Sequence, residues 1–319
     1  MTGPKILVTG ASGFVGEALV FRLLVEKKYC PVAAVRSETR LGGLCSVQMF
    51  DLLDEHSSAQ LEGIEVIVHA AARVHVMDER ADDALTEFRR VNVQGTLKLA
   101  RQAVASGVRR FVYISSIKVN GENTLPGRPF KADDSVAPQD PYGVSKHEAE
   151  TALMQLGRES GMEVVVIRPP LVYGPGVKAN FLSMMDWLSK GIPLPLGTIG
   201  NQRSLVAIAN LVSLIVACID HPAAANQVFL VSDGDDVSTS RLLRRLATAL
   251  GKPSRLLPVP ESLIQLGAGL LGKRDVAQRI CGSLQVDIEK NFQLLGWTPP
   301  VSMQKALRQT AERYKDEHG

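Results

Sequence analysis

The stretch Lys5-Ile-Leu-Val-Thr-Gly10-Ala-Ser-Gly13-Phe-Val-Gly16 decides how this chain folds. Lys5–Thr9 is a short aliphatic run suited to a strand buried on both faces of a parallel sheet. Phe14–Lys27 then reads as a helix. Between them glycines fall at three-residue intervals, G-x-x-G-x-x-G, wider than the more familiar G-x-G-x-x-G. Such a turn lets the backbone approach a pyrophosphate at the helix N-terminus, where unpaired N–H groups and the macrodipole attract an anion. Gly10, Ser12, Gly13, Phe14, Val15 and Gly16 are therefore candidate dinucleotide contacts, the alternative being an empty tight turn.

Outward from this turn, short apolar runs alternate with longer helical patterns. Pro31–Val35, Val66–Ala70, Phe111–Ser115 and Glu163–Arg168 read as strands, and roughly 82–106 and 142–160 as helices. This rhythm predicts a Rossmann-type doubly wound parallel α/β sheet with a smaller, mostly helical C-terminal lobe. The expected boundaries are residues 1–172 for the dinucleotide-binding domain, with a returning segment near 205–235, and 173–319 for the substrate lobe. Glycines and prolines crowd the stretch from Gly174 to Gly200, which reads as loops. Val228–Val231 suggests a returning strand, and 239–250, 261–271, 287–294 and 303–315 suggest helices.

The tip of the second strand speaks to the cofactor. A carboxylate there would receive the ribose hydroxyls of NAD, but Val35 is followed by Arg36 and Ser37, with Arg40 further on and Glu38 beyond the tip. A guanidinium would pair with a 2′-phosphate, so NADP(H) is favoured, with NAD(H) as the alternative. Asp51 could accept from the adenine amino group or serve a turn, with Leu52 beside it. His69 reads as a packed strand-end histidine, and Ala70, Ala71 and Ala72 are small enough to let a dinucleotide lie close.

Tyr142 and Lys146 stand four residues apart at the start of a helical pattern and so share a face. An ammonium beside a phenol favours the phenolate and makes the tyrosine usable for proton transfer near neutral pH.

Taken with the glycine turn, His69–Ala72, Asn92, Ser115-Ser116 and Arg168-Pro169-Pro170 through Tyr173-Gly174-Pro175-Gly176, these residues resemble the extended short-chain dehydrogenase/reductase family over about the first 180 residues. The resemblance implies a catalytic trio of Ser116, Tyr142 and Lys146, with Asn92 and Pro169 near the cofactor. Ser116 would orient the carbinol oxygen. Tyr142 would exchange its proton. Lys146 would lower the tyrosine pKa and hold the nicotinamide ribose. Asn120 stands where the family commonly has a pocket tyrosine.

The same resemblance implies a nucleotide-sugar substrate, UDP-linked, contacted by Asn180, Arg203 and, with less to support them, Lys118, Arg279 and Arg73. The family's usual aspartate after Arg203 is replaced by Asn210. The chain is similar to a bacterial subgroup described as UDP-glucose 4-epimerase-like, active in surface-polysaccharide and O-antigen precursor synthesis. Arg36 and Asn120 favour reduction of a UDP-4-keto-6-deoxy-N-acetylhexosamine at C4; a 4-epimerase with retained NAD is the alternative. A dehydratase fits poorly, because Ile117-Lys118 replaces that group's Asp-Glu pair. A non-catalytic dinucleotide-sensing regulator would commonly lack the Tyr/Lys pair. Homodimerisation through the helices near 82–106 and 142–160 is also implied.

Bulk properties exclude other classes. A net charge of +3, with five tyrosines and two tryptophans, provides no basic-aromatic platform for nucleic acid. Cys30, Cys45, Cys218 and Cys281 are too far apart for a metal motif. Neither a signal peptide nor a transmembrane span is expected, and a cytoplasmic protein is. Val206–Ile219 is the most apolar stretch, and Leu263–Leu271 reads as a pocket wall, a buried helix or, less readily, a membrane contact.

Overall fold

The computed structural model describes residues 3–318 other than 55, 75–83, 126, 271 and 273. The expected start of a helix near Asp82 and the end of another at Leu271 lie outside the described residues. Seven parallel strands run in the order β3-β2-β1-β4-β5-β6-β9, comprising β1 (Lys5–Thr9), β2 (Cys30–Val35), β3 (Ser46–Met49), β4 (Ile64–His69), β5 (Arg110–Ile114), β6 (Glu163–Arg168) and β9 (Val228–Leu230). The order reverses at β1, which lies between β2 and β4, and opens a crevice beyond the carboxyl ends of these strands.

Alternate residues explain the unbroken apolar runs. Ile6, Val8, Val66, Val68, Val112, Ile114, Val165 and Ile167 pack on one face with α1 (Phe14–Glu26) and α6 (Ile208–Asp220). Leu7, Ile67, Phe111, Tyr113, Val164 and Val166 pack on the other, with α3 (Thr96–Ala105) and α4 (Pro141–Ser160). Each fully buried aliphatic chain contributes roughly 1.5–3 kcal/mol. Asp140 caps α4 by accepting from the Gly143 amide at 2.6 Å, Pro141 occupies its first position, and Gly161, at φ 81°, ends it.

The expected helix near 82–106 is three consecutive segments. α2 (Ala84–Phe88) and α3 flank a π-helical stretch, Arg89–Gly95, that contains Asn92. A wider turn of this kind is a known mark of functional sites.

Beyond β6, the Gly174–Gly200 stretch read as loops contains a helix, and a short strand lies on either side of it. β7 (Leu171–Tyr173) pairs in parallel with β8 (Leu205–Ala207), and α5 (Ala179–Ser189) lies between them in sequence. Glycine and proline on both flanks masked the α5 pattern of Phe181, Met185 and Leu188, which is buried against α7 (Thr239–Leu250) and α11 (Met303–His318). The apolar Val206–Ile219 stretch divides between β8 and α6, whose buried face packs on α1. The remaining helices are α8 (Glu261–Leu270), α9 (Arg274–Cys281) and α10 (Glu289–Leu295). α10 starts two residues later than expected because Asp287 accepts from the Glu289 amide at 2.8 Å. Among the described residues no helix is long and apolar enough to cross a membrane, and no group of side chains could hold a metal ion.

Candidate active site

The glycine turn is shaped by close approach. Gly10 has φ 65°, and a β-carbon there would stand 2.8 Å from the Ala71 amide nitrogen. A β-carbon on Gly16 would lie 2.2 Å from the Gly10 carbonyl oxygen, so α1 can pack on the turn only with glycine there. The Gly13 amide donates to that same carbonyl at 2.9 Å. Gly13 begins α1 without a side-chain cap, and Ser12 and Gly13 are exposed, leaving the helix N-terminus open to an anion. Glu17 in the first turn opposes an anion, but Arg40 grips its carboxylate through two bonds of 2.6 and 2.5 Å. Arg40 is thereby committed to α1. Arg36 is exposed at the end of β2 and makes no ion pair among the described residues.

Around this turn the chain is cut close. Ala70, Ala71 and Ala72 follow β4 and are partly covered. Asp51 makes a local turn, its Oδ1 accepting from the Leu53 amide at 3.0 Å, while Leu52 packs against Gly95. Asn92 is buried within the π-helical stretch. Its Oδ1 accepts from the Arg73 amide at 2.9 Å, and its Nδ2 donates to the Arg73 carbonyl and Ser145 Oγ, each at 3.1 Å. Asn92 thus ties the loop after β4 to α4. The Arg73 side chain pairs with Glu87 at 3.8 Å. His69 is the packed histidine anticipated: its nitrogens bond Thr9 Oγ1 at 2.6 Å and Thr96 Oγ1 at 3.0 Å. Burial first, and the Lys146 charge second, hold its pKa down to about 3, so the ring is neutral.

Tyr142 and Lys146 do share a face of α4. Lys146 is buried, and its ammonium donates to the Ile114 carbonyl at 2.8 Å. Burial drives its pKa down to about 7, against the opposing pull of Glu150. The expectation that Lys146 lowers the Tyr142 pKa is not met by this geometry. The ammonium is 6.0 Å from the Tyr142 ring centre, and burial, reinforced by Asp140, pushes the phenol upward instead. Desolvation opposes charge on both groups, and at this separation it outweighs their attraction.

Ser116 begins the short 3₁₀ turn Ile117–Val119, where its Oγ accepts from the Lys118 amide at 3.3 Å. Two contacts press this turn onto the start of α4: Lys118 Nζ pairs with Asp140, and the Lys118 carbonyl lies against Gly143. Buried Pro169 accepts from the Ile117 amide at 3.0 Å and anchors the turn to the end of β6. Ser116, Tyr142 and Lys146 are thus brought to one end of the sheet.

Below them lies a network that the sequence reading missed. Glu150, one turn past Lys146 on α4, takes Arg168 in a two-pronged ion pair (Nη2–Oε2 2.6 Å, Nε–Oε1 3.0 Å) and also accepts from Ser115. Arg168 Nη1 donates to Asn120 Oδ1 at 3.0 Å. Asn120 is therefore a buried structural partner, and its Nδ2 reaches the Lys131 carbonyl. The available signal was the 142–146–150 spacing on one helix face, with a carboxylate at its buried end.

The candidate substrate contacts are engaged in different ways, although Lys118 and Arg203 both neighbour Glu122. Lys118 is held by Asp140 and by Glu122 at 3.0 Å. Asn180 is exposed at the start of α5, after Ala179 in the left-handed region at φ 55°. Arg203 was expected to reach a diphosphate. In the fold it caps the end of α9, donating from Nη1 to the carbonyls of Arg279 and Gly282 at 2.8 and 3.1 Å. The Arg279 side chain is exposed on α9. Asn210 is buried, bonding Asp233 and the Val301 backbone. A cavity of about 520 Å³ lies beside the α9 terminus, lined by Asn123, Thr124, Glu261, Gln265, Gln278 and Ser283. These residues are scattered along the chain and carry no motif.

A parallel sheet with a glycine turn at its switch point, and a serine, tyrosine and lysine gathered at its end, defines an extended short-chain dehydrogenase/reductase. The chain belongs to the NAD-dependent epimerase/dehydratase family, whose model matches residues 6–232. It is 54% identical over 318 residues to a UDP-glucose 4-epimerase of Vibrio cholerae, spanning 98% of this chain and 96% of that protein. A UDP-glucose 4-epimerase of Mycolicibacterium smegmatis is 30% identical, over 98% of this chain and 99% of that one. The structure of a Thermotoga maritima UDP-glucose 4-epimerase with UDP-glucose superposes with a TM-score of 0.78 at 23% identity, over 99% of this chain and all of that one, a likeness of fold. The protein is an NAD(P)-dependent enzyme of this family.

Proposed function

We propose that this enzyme is a 4-epimerase of a UDP-hexose or UDP-N-acetylhexosamine that retains NAD between turnovers. The observation that carries this reading is the 54% identity to the Vibrio cholerae UDP-glucose 4-epimerase over nearly the whole chain. It outweighs the Arg36 argument for a reductase, because one exposed arginine at a strand tip bears on cofactor preference and not on the sugar chemistry.

A bound dinucleotide would supply the hydride acceptor for the sugar C4 and the means of returning the hydride to the opposite face of the same carbon. The open α1 N-terminus, Ser12 and Gly13 would hold its pyrophosphate, with Ala70–Ala72 leaving room alongside. Tyr142 takes the proton of the C4 hydroxyl at its phenol oxygen and gives it back after the hydride returns. Ser116 Oγ orients the C4 oxygen through a hydrogen bond. The phenolate that this step needs would draw on the positive charge of the bound nicotinamide as well as of Lys146, since Lys146 alone does not offset the burial of Tyr142. The free N–H of Lys146 suits the nicotinamide ribose. Residues 1–172 with the returning segment near 205–235 serve the dinucleotide, and 173–319 serve the nucleotide sugar.

A second reading is favoured by one observation. Arg36 is exposed at the tip of β2 with no ion pair among the described residues, where it suits a 2′-phosphate and a 4-ketoreductase drawing NADPH. Incubating the protein as purified, without added cofactor, with UDP-glucose or UDP-N-acetylglucosamine tests the two. Conversion to the C4 epimer with no net change at 340 nm supports the epimerase. Stoichiometric NADPH loss with a UDP-4-keto-6-deoxy-sugar, and no epimer formed, supports the reductase. We also propose a homodimer through α3 and α4; a light-scattering mass of one chain at micromolar concentration counts against it.

A further inference from the structure

We propose that Tyr113 is a positioning residue for Lys146: its buried ring face carries the lysine ammonium, and His69, stacked against the same ring, fixes it to the glycine turn. The inference rests on the reading of Lys146 as part of the reacting site. Lys146 Nζ lies 4.4 Å from the Tyr113 ring centre, closer than its 6.0 Å to the Tyr142 ring. A buried ammonium must replace its lost water shell. The described hydrogen bonds supply one acceptor, the Ile114 carbonyl at 2.8 Å. The negative face of the Tyr113 ring supplies a second attraction, strongest where water is excluded. These two partners leave one N–H direction free, which the ammonium can turn to the reacting side of the site.

Tyr113 acts through its ring and not its hydroxyl. The hydroxyl is buried and finds no well-aligned partner among the described residues. Burial also pushes its ionisation well above the usual phenol value. The ring stacks on His69 with centres 5.9 Å apart and planes 16° from parallel. His69 in turn bonds Thr9, the residue before Gly10, and Thr96 on α3. A protonated His69 would repel the ammonium across the ring; its burial keeps it neutral. Other charged or titratable groups near Lys146 among the described residues include Tyr142 and Glu150 on its own helix and Arg168 from β6, which is paired with Glu150. Tyr113 itself comes from β5, and His69 from β4. The column from Lys146 through Tyr113 and His69 to Thr9 therefore links the proton-transfer helix to the phosphate turn.

The test titrates the Lys146 ε-carbon by NMR in protein labelled with ¹³C at lysine Cε, with Lys146→Arg to assign the signal. Tyr113→Leu removes the ring face. Its midpoint is expected about one pH unit below that of the parent protein, with kcat down about tenfold. Tyr113→Phe keeps the ring and discards the hydroxyl, so midpoint and kcat should match the parent. If the leucine variant does not fold, Tyr113→Met, which fills similar space without a π face, reads the same quantity. An unshifted midpoint in the leucine or methionine variant, or a phenylalanine variant as impaired as these, overturns the proposal. A shifted midpoint with unaltered turnover upholds the positioning and instead removes Lys146 from the reaction.

Discussion

Gly143 and Lys118 meet where no side chain fits. A β-carbon on Gly143 would lie 2.9 Å from the Lys118 carbonyl oxygen and 3.0 Å from Asp140 Oδ1. Gly143 is the residue after Tyr142, and Lys118 lies two past Ser116, so this contact sets how closely the two candidate reacting side chains approach.

Gly143→Ala should therefore cost activity more than stability. Alanine favours the helix by about 1 kcal/mol over glycine, which partly offsets the clash. The 3₁₀ turn must retreat by a few tenths of an ångström, and Ser116 retreats with it. We expect kcat to fall at least about tenfold, equivalent to about 1.4 kcal/mol at the barrier, with the bound dinucleotide retained. Steady-state kinetics beside the cofactor absorbance of the purified protein would check this. Unchanged kcat would mean that the turn is not part of the reacting geometry.

Arg36→Asp should invert cofactor preference. A carboxylate at the tip of β2 suits ribose hydroxyls and repels a 2′-phosphate. Measuring dissociation constants for NADP and NAD on cofactor-stripped protein reads this without any assumption about the sugar. The ratio should move toward NAD by at least about tenfold. An unmoved ratio means that Arg36 does not meet the cofactor.

Glu150→Gln leaves the Arg168 guanidinium buried without its counter-charge. Both side chains are 5% exposed, so solvent cannot take over. Breaking a buried pair from one side costs about 3–5 kcal/mol. Urea unfolding at pH 7 should show a loss of that order. Removing both charges with Glu150→Gln and Arg168→Met should recover part of it, and a double variant weaker than the single one would contradict the argument.

His69 makes stability depend on pH on the acid side. Burial holds its folded pKa near 3, below the ordinary histidine value of 6.5. Between these values the unfolded chain takes up a proton that the folded chain refuses. The contribution is therefore complete above about pH 6.5 and is lost as pH falls toward 3. The steepest slope is about 1.4 kcal/mol per pH unit. His69→Gln keeps an amide between Thr9 and Thr96 and removes the titration. Its unfolding free energy should vary less between pH 4 and 6 than that of the parent protein. Parallel curves would show that the ring titrates normally in the folded state.

The sequence by itself determined the parts of this protein whose signals are local. β1, the glycine turn and α1 follow one another within 26 residues, and β6 and α7 begin and end where their apolar spacing says. The Tyr142–Lys146 pair needed only a helix, and Asp140, Pro141 and Gly161 mark where that helix starts and stops. Tertiary structure decided the partners. The guanidinium of Arg203 had several possible destinations, and the fold turns it to the carbonyls at the end of α9. Asn120 looked like a missing pocket residue until Arg168, 48 positions away, was seen to claim it. The expected effect of Lys146 on Tyr142 depended on desolvation, which no spacing reports. A helix or a tight turn is set by neighbours a few residues apart. Burial, and the choice among competing hydrogen-bond partners, are set only when distant strands and helices close around a side chain.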